Sequence, residues 1–599
     1  MNLFGYCCSS ANPDQLDFLH KKASKDIGGA ENAIKAAGIG AFSLGAETSS
    51  VNMQNHVLLV KGQPLLSDQR ASPVNLLEEY LQCGTELFRK LKGPFALAII
   101  DSQKAKIILA VDRFAREKLA YRCIDGGLIF ADDIEWCASA TIGRPRLRNQ
   151  GVYDYLFFHM LPSPNSIYDG ILKLPPAHYV TWESNKLQNT CYWKPQFQES
   201  RYSNFSDLEE ELHQLLHQAV QRCEPDAQTG AFLSGGLDSS TVAGYLSKVQ
   251  QGKAKSFSMG FGVEGYDELT YARIAVERFK LEGHEYRVTP ADIVSAFPSI
   301  AEHYDEPFGN SSVIPTLCCA KFAKANGVCH LLAGDGGDEL FAGNERYARQ
   351  KVFEAYHHIP NVVRRSILEP LARQFSEESF LPFRKLHSYI GQATIPLPER
   401  LETWNYAYRE DVSAMLSDEF ADSVDIEEPM RQMNAVYSSV EQDVSTLNRL
   451  LYYDWRFTLA DSDLRKVGAM CDLAGVKVSY PMLDDDLVEF SIRIPSRVKM
   501  PGLKLRAFYK TAMQGFLPDQ ILNKSKHGFG LPFGVWLKSD KQLRDLISSN
   551  LSDLNKRQIF NVEFLNGLLD EHATGHASYY GYFIWDLAIL EEWLKQRNL

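Results

Sequence analysis

Apolar residues fall in short runs between turn-forming residues through the first 190 or so positions. Runs at 57–60, 95–100, 106–111 and 127–131 are rich in aliphatic and β-branched residues and predict strands. A polar stretch without periodicity follows at 193–205, where we place a linker. The pattern therefore predicts a strand-rich first domain over 1–195 and a second domain over 205–599.

The second domain opens with apolar residues at helical spacing, which predict an amphipathic helix: Leu208, Leu212, Leu215, Leu216 and Ala219. Apolar runs at 230–233, 256–261 and 328–333 then alternate with helical patterns. This alternation is typical of βαβ units on a parallel sheet. Beyond about 359 the pattern is mostly helical.

Composition and charge narrow the function classes. A net charge of −12 and a pI near 5.7 argue against nucleic-acid partners, which need a basic face. No apolar run reaches the length of a membrane span, and the start of the chain lacks a signal-peptide pattern. The 11 cysteines show no CxxC spacing, so neither a zinc site nor a disulfide framework is expected. We expect a cytoplasmic protein.

The segment from Ala231 to Ser240 reads AFLSGGLDSS and carries candidate chemistry. Gly235 and Gly236 let backbone N–H groups approach an anion, and the helix that follows, predicted over 241–247, adds a favourable dipole. The hydroxyl groups listed next could bind phosphate oxygens: Ser234, Ser239 and Ser240. Asp238 beside phosphate implies a bridging cation such as Mg²⁺. The alternative is an ordinary capped helix after a glycine turn.

This segment resembles the PP-loop of the ATP pyrophosphatases and lacks the lysine of a P-loop. The resemblance implies ATP as cofactor and release of AMP and pyrophosphate. Further motifs, in matching order and spacing, are similar to asparagine synthetase: Asp305 to Ser312 (DEPFGNSS), Leu332 to Phe341 (LAGDGGDELF), Tyr480 to Asp484 (YPMLD), Leu517 to Ile521 (LPDQI) and Lys526 to Gly530 (KHGFG).

The family's site residues are carried over by matched position. Leu233 and Met259 would flank the adenosine, Ala333 and Gly334 would face the nucleotide, and Asp338 would be the second Mg²⁺ carboxylate beside Asp238. For Asp335, Asp338 and Glu339 the alternative is a helix N-terminus rich in acids.

One position departs from the family. Its catalytic lysine corresponds to Arg506 in our alignment, with Lys504 two residues earlier. Arginine supplies charge but no proton near neutral pH. Either Lys504 takes the role, or electrostatics from Arg506 is sufficient. In isolation both would more often be surface charges.

Residues 1–195 resemble the family's glutaminase half, so the resemblance implies an Ntn-hydrolase-like αββα sandwich. It is followed by a parallel-sheet domain of the PP-loop (adenine nucleotide α-hydrolase-like) type with a helical C-terminal part. Glutamine hydrolysis there needs a cysteine directly after the initiator methionine, and this chain has Asn2. The family's Asn-Gly-Glu loop corresponds to Lys61-Gly62-Gln63, and its substrate-binding aspartate to Ser72. Use of Cys7 or Cys8 would require trimming, so buried structural thiols are the better interpretation. We predict a degenerate, inactive glutaminase.

A ligase without its own glutaminase must take its amine from elsewhere. Loss of the glutaminase residues from the first domain is typical of β-lactam synthetases and lasso peptide cyclases. We favour a macrolactam (lasso peptide) cyclase, acting on a precursor peptide released by a leader-processing protease. The alternative is an asparagine synthetase using free ammonia on aspartate; amidation of another small molecule and a silent regulatory homologue also remain. The substrate that carries the carboxylate is then a peptide or an aspartate-like small molecule. A homodimer is possible.

Overall fold

The computed structural model describes residues 2–8, 13–27, 33–36, 39–44, 48–140, 146–200, 204–252, 254–374, 380–441, 443–524, 530–575 and 577–599. The motif at Lys526 lies outside the described residues except for Gly530. Within the described residues, no helix has both the length and the apolar character needed to cross a bilayer.

The N-terminal part is built mainly from two antiparallel sheets. Its strands are β1 Leu3–Cys8, β2 Ala33–Ala36, β3 Ile39–Ser43, β4 Thr48–Met53, β5 His56–Gly62, β6 Leu65–Leu66, β7 Gln69–Arg70, β8 Leu91–Lys92, β9 Phe95–Asp101, β10 Lys106–Val111, β11 Ala120–Ile124, β12 Gly127–Ala131, β13 Ile171–Lys173, β14 His178–Glu183 and β15 Lys186–Cys191. Its helices are α1 Pro13–Ile27, α2 Pro73–Cys83, α3 Leu87–Lys90, α4 Ile134–Ser139 and α5 Asn149–Phe158. The four strands predicted here are confirmed as β5, β9, β10 and β12.

The sheet orders are β13-β11-β12-β1-β3-β2 and β15-β14-β10-β9-β5-β4, and β7-β6-β8 forms a small third sheet. A core between the two large sheets takes side chains from both: Leu3, Cys7, Ile39, Leu59, Ile100, Leu109, Leu128 and Phe130. Alternate side chains of a strand point to opposite faces, so the neighbouring residues face outwards. On one outer face Leu58 and Leu97 pack on Leu77 of α2, and on the other Phe4 and Ile129 pack on Trp136 of α4. This arrangement is the predicted αββα sandwich.

A five-stranded sheet with order β18-β17-β16-β19-β20 organises the second part, and every neighbouring pair is parallel. Its strands are β16 Thr229–Phe232, β17 Lys255–Gly260, β18 Glu282–Arg287, β19 His330–Leu332 and β20 Lys477–Ser479. The helices around it are α6 Phe205–Arg222, α7 Leu237–Val249, α8 Leu269–Phe279, α9 Pro290–His303, α10 Val313–Ala325 and α11 Gly337–Phe341. The predicted parallel sheet and its amphipathic entry helix, α6, are confirmed.

The remainder is helical apart from β20, as predicted. The helices are α12 Glu345–His357, α13 Asn361–Val363, α14 Glu369–Arg373, α15 Leu381–Thr394, α16 Tyr406–Arg409, α17 Val412–Met415, α18 Asp418–Asp422, α19 Glu428–Tyr437, α20 Thr446–Asp454, α21 Leu464–Ala474, α22 Asp485–Arg493, α23 Ser496–Lys499, α24 Ala507–Ala512, α25 Asp519–Leu522, α26 Phe533–Ser539, α27 Lys541–Leu554, α28 Val562–Thr574 and α29 Ala577–Gln596. Single 3₁₀ turns occur at Gly84–Glu86, Glu399–Glu402, Pro481–Leu483 and Asn555–Arg557, and π-helical turns at Arg364–Leu368 and Trp455–Asp463.

The two parts pack against each other through an aromatic seam. Trp193, just after β15, lies parallel to Trp455 of the second part, with ring centroids 6.4 Å apart. The guanidinium of Arg113 lies 4.5 Å from the Trp193 ring centroid, and its Nη1 donates to Glu489 Oε1 at 2.6 Å. Phe158 of α5 stacks on Phe457 at 5.4 Å. These contacts tie the N-terminal part to the π-helical segment and to α22.

Candidate active site

A cavity of about 720 Å³ opens at the carboxyl ends of β16, β17 and β19. Parallel α/β sheets bind ligands at this edge. The loop after β16 turns at Gly235, whose φ is +72°, and a Cβ there would lie 2.5 Å from the Ala272 nitrogen. The loop is held internally, because the Ser239 hydroxyl lies 3.0 Å from the Ser234 hydroxyl and accepts the Ser234 N–H at 3.2 Å. A preshaped turn with its helix N-terminus at the cavity is suited to an anion.

The acidic turn after β19 lies directly on this loop. A Cβ on Gly334 would come within 2.7 Å of the Ser239 nitrogen, and one on Gly337 would overlap Asp238. Gly336, with φ +102°, packs against Leu483. Glycine at these positions therefore allows the two loops to meet and places Asp238 beside Asp338.

Arg506 lies between the two carboxylates. Its Nη1 donates to Asp238 Oδ2 at 2.7 Å and to Asp338 Oδ1 at 3.0 Å, and its Nη2 also contacts Asp238. Burial disfavours the charged guanidinium, but Asp238 and then Asp338 outweigh it and raise the pKa of Arg506 above its usual value. Arg506 has a left-handed backbone, with φ +54°, at the start of α24.

Most of the predicted residues line the cavity: Leu233, Ser234, Gly236, Asp238, Ser239, Met259, Gly334, Asp338 and Arg506. The others lie elsewhere. Lys504 is exposed, Ala333 is buried, and Gly235 turns towards α8. Ser240 is fully buried, and its hydroxyl has no hydrogen-bond partner among the residues that the structure describes. The ligand contacts of these residues stay predictions.

Several cavity residues lie outside the motifs found in the sequence, among them Asp463, Lys466 and Lys510. Lys466 Nζ lies 2.6 Å from Asp463 Oδ1. Asp463 is the last residue of the π-helical turn Trp455–Asp463, and Lys466 follows three residues later. π-Helical turns are rare in proteins overall, and those that occur are often found at functional sites. Burial raises the pKa of Asp335 to about 6, against the opposing effect of Lys466. Burial, and then Arg506, lower the pKa of Lys510 below its usual value.

The residues present fit a metal ion that arrives with a nucleotide. Across the described ranges, no group of three or more His, Cys, Asp or Glu could hold a metal ion. Mg²⁺ is commonly held by one or two carboxylates plus substrate phosphates, and Asp238 and Asp338 meet that requirement. The Arg506 guanidinium marks the place where positive charge is favoured between them.

The N-terminal part has a second cluster of charges at its residue 2. Asp132 accepts the backbone N–H of Asn2 at 2.9 Å and that of Leu3 at 3.2 Å. Lys61 Nζ lies 3.0 Å from Asp132 and 3.2 Å from Glu117.

The thiols considered as substitutes are buried in β1. Cys7 is 0% and Cys8 6% exposed, and burial raises the pKa of each thiol to about 12. Thiolates are the nucleophilic form of cysteine, so neither thiol is activated in this structure.

The family model of asparagine synthase matches residues 211–595, and a glutamine amidotransferase domain matches residues 69–193. Asparagine synthetase [glutamine-hydrolyzing] 1 of Bacillus subtilis is 24% identical over 86% of this chain and 80% of its own length. Amidase chyE of Penicillium rubens is 23% identical over 83% of this chain and 77% of its own length. A solved glutamine phosphoribosylpyrophosphate amidotransferase from B. subtilis covers 56% of this chain and 81% of its own at 10% identity, with a TM-score of 0.18, too low to support a statement on the fold. Because the asparagine synthase model spans more than half of it, the chain belongs to the asparagine synthase family and is a carbon–nitrogen ligase.

Proposed function

We propose that this ligase closes an amide bond within a peptide, as a macrolactam cyclase of the lasso peptide type, and has no glutaminase activity of its own. The observation that carries the proposal is the cluster at Asn2. A glutaminase of this type needs a cysteine thiol at residue 2, and here Asn2 contributes backbone N–H to Asp132 while Lys61 contacts the same carboxylate. The amine must then come from the substrate or from solution.

The cavity supports the activation step. A carboxylate oxygen of the substrate attacks the α-phosphorus of ATP, the bond to the bridging oxygen breaks, and pyrophosphate leaves. Ser234, Ser239 and the N-terminus of α7 would hold the two outer phosphates, with Arg506 adding charge. Mg²⁺ bound at Asp238 and Asp338 would neutralise charge on the leaving group.

In the second step the peptide's N-terminal amine attacks the acyl carbon, the bond to AMP breaks, and the amine loses a proton. Holding both ends of one peptide makes this step effectively unimolecular. A volume of about 720 Å³ lies in the upper part of the range for ligand pockets, which leaves room beside a nucleotide. A precursor peptide freed by a leader-processing protease would supply both reacting groups.

Pyrophosphate release from MgATP tests the proposal with three substrate sets. These are a linear peptide with a free N-terminus and one internal Asp or Glu, L-aspartate with ammonium, and L-aspartate with glutamine. We expect release only with the peptide, and mass spectrometry should show a product lighter by one water. Asparagine formed from ammonium would favour the alternative, an ammonia-using asparagine synthetase. Several curated relatives are named asparagine synthetase [glutamine-hydrolyzing], which supports aspartate as a candidate substrate but not ammonia as the amine source. Asparagine formed from glutamine would refute the loss of glutaminase activity.

A further inference from the structure

Two adjacent basic residues in the first turn of α21 point to different places. Lys466 lines the cavity, and its side chain is 13% exposed. Arg465 points instead into the contact with the N-terminal part, where it is 13% exposed. Successive helix residues are about 100° apart, so one turn of α21 connects the cavity wall to the other domain.

Lys466 differs in its location from Arg506 and Lys524, two further cations that line the cavity. Arg506 is held by Asp238 and Asp338, and Lys524 Nζ lies 2.7 Å from Glu268 near the loop after β16. Lys466 lies on the helix that leads to β20, which is on the far side of β19 from β16. It therefore lies across the acidic turn from the residues proposed to hold pyrophosphate.

The geometry of phosphoryl-group attack makes that position significant. In such displacements the attacking and leaving oxygens are roughly in line. If pyrophosphate leaves over Ser234 and Ser239, the attacking carboxylate approaches from the β19–β20 side. Lys466 is an ammonium with three donors, and its ion-pair partner among the described residues, Asp463, is itself 26% exposed at the cavity wall. Burial disfavours the ammonium form, but Asp463 and Asp335 outweigh it and raise the pKa of Lys466, so it is charged at neutral pH.

Arg465 is fixed by two buried carboxylates. Its Nη2 lies 3.2 Å from Asp305 Oδ1 and its Nη1 lies 3.1 Å from Glu306 Oε2. Asp305 is 4% and Glu306 1% exposed. Breaking a buried pair on one side leaves a charge uncompensated, so this contact holds the start of α21 firmly.

The same two carboxylates are bound from the other side by the N-terminal part. Lys118 Nζ lies 2.6 Å from Asp305, and Lys173 Nζ lies 2.7 Å from Glu306. Backbone N–H groups of that part, from Ile134 and Ile167, donate to Asp305 at 3.2 Å and to Glu306 at 2.9 Å. The N-terminal part is thus connected through Asp305, Glu306 and Arg465 to the turn that carries Lys466.

We infer that Lys466 binds the carboxylate of the acyl substrate, and that the N-terminal domain positions Lys466 through Arg465. The inference rests on the proposed function, because it assumes that a carboxylate is activated in this cavity. It gives the glutaminase-like domain a role in the ligase reaction that does not depend on ammonia.

The test uses the full chain, MgATP and two carboxylate probes, L-aspartate with ammonium and the linear peptide defined above, keeping whichever probe the unaltered chain turns over. Lys466→Met should raise KM for the probe at least tenfold while KM for ATP changes less than twofold. Lys466→Arg should recover part of the loss. Lys466→Gln, which is shorter and polar, replaces the methionine variant if that variant does not fold.

For the positioning role, Arg465→Met should raise KM for the carboxylate probe about tenfold, again with KM for ATP nearly unchanged, and Arg465→Lys should restore part of it. Glu489→Gln is the matched control, because it removes the ion pair with Arg113 between the same two parts but away from the cavity. A merely structural role would lower the active fraction and leave both KM values as they were.

The outcomes separate the two proposals. If the unaltered chain releases pyrophosphate with neither probe, the proposed function is overturned and the inference with it. If it turns over a probe but Lys466→Met raises KM for ATP and for the carboxylate alike, or lowers kcat alone, Lys466 is not the carboxylate's partner. If Arg465→Met behaves like Glu489→Gln, the positioning role of the N-terminal domain is wrong.

Discussion

Two regions of this molecule place one cation between two carboxylates. In the N-terminal part Lys61 lies 3.0 Å from Asp132 and 3.2 Å from Glu117. In the second part Arg506 lies between Asp238 and Asp338 at 2.7 and 3.0 Å. Formal charge is the same in both, so charge alone does not distinguish a structural cluster from a binding site.

The surroundings make the difference. Asp132 is 3% exposed in its side chain and also accepts backbone N–H groups from Asn2 and Leu3. Asp238 and Asp338 instead border a cavity of about 720 Å³ and lie against glycines. The first cluster is saturated by its own chain, whereas the second faces space for a ligand.

Removing a carboxylate of the second cluster should have the largest effect. Asp238→Ala should reduce pyrophosphate release at least ~10³-fold, since it removes a proposed metal ligand and a partner of Arg506. Steady-state pyrophosphate release measures it, with Asp545→Ala on the exposed face of α27 as the control. Normal turnover in Asp238→Ala would refute its assignment to the metal.

Removing the cation of the second cluster should act on rate and on metal binding. Arg506→Met should lower kcat about 10²-fold, the usual effect of losing one donor to developing charge. Because Asp238 and Asp338 then lack a counter-charge, the rise in Tm on adding Mg²⁺ should exceed that of the unaltered chain. Arg506→Lys keeps the charge but not the bidentate geometry of the guanidinium, so its kcat and its rise in Tm should lie between those of Arg506→Met and the unaltered chain. An equal Mg²⁺ shift in all three proteins would contradict the shared site.

Removing the cation of the first cluster should change stability and not chemistry. Lys61→Met leaves Asp132 buried without its charge partner, which costs about 3–5 kcal/mol. The activity of the folded fraction should be unchanged. Lys90→Met, which breaks an exposed pair with Glu79, is the control and should leave the stability nearly unchanged.

The loss of stability in Lys61→Met should depend on pH. Burial disfavours the ionised form of Asp132, but Lys61 and the Asn2 N–H outweigh it and hold the pKa of Asp132 below its usual value. Its contribution to stability is therefore present above about pH 4 and lost as pH falls further. The difference in Tm between Lys61→Met and the unaltered chain should narrow in acid, and a gap that widens would show that Lys61 is not the partner.

The smallest effect is expected at residue 2. Asn2→Ala keeps the backbone N–H that Asp132 accepts, so Tm and pyrophosphate release should stay within experimental error. A large loss of activity would restore a catalytic role to the N-terminus and refute the contrast between the two clusters.

Local patterns in the sequence were sufficient for β5, β9, β10, β12, β16, β17 and β19 and for the loop after β16, whereas the other strands were not predicted. Alternation and buried runs such as β9, FALAIID, reflect which face of a strand is covered, and glycine turns reflect backbone geometry. The boundaries of β19 were less well predicted, because the chain pairs only over His330–Leu332 before it turns. Alignment to a family supplied Asp338 and the choice between Lys504 and Arg506.

The remaining site residues depend on contacts far apart in the chain. Arg506 and Asp238 are separated by 268 positions, and no periodicity specifies that they meet. Asp463 ends a π-helical turn and Lys466 lies in the first turn of α21, whose residue pattern is that of an ordinary amphipathic helix. The link from Arg465 to the N-terminal part appears only when both parts are folded together.

The aromatic seam provides an intrinsic spectroscopic probe of the contact between the two parts. Trp193 and Trp455 come from different parts of the chain, lie nearly parallel with 9° between their ring planes, and have a guanidinium beside one of them. Indoles this close couple electronically, so loosening of the junction would change near-ultraviolet circular dichroism and emission without any added dye. Substrate titrations followed by these two signals would show whether ligand binding in the second part changes the contact between the two parts.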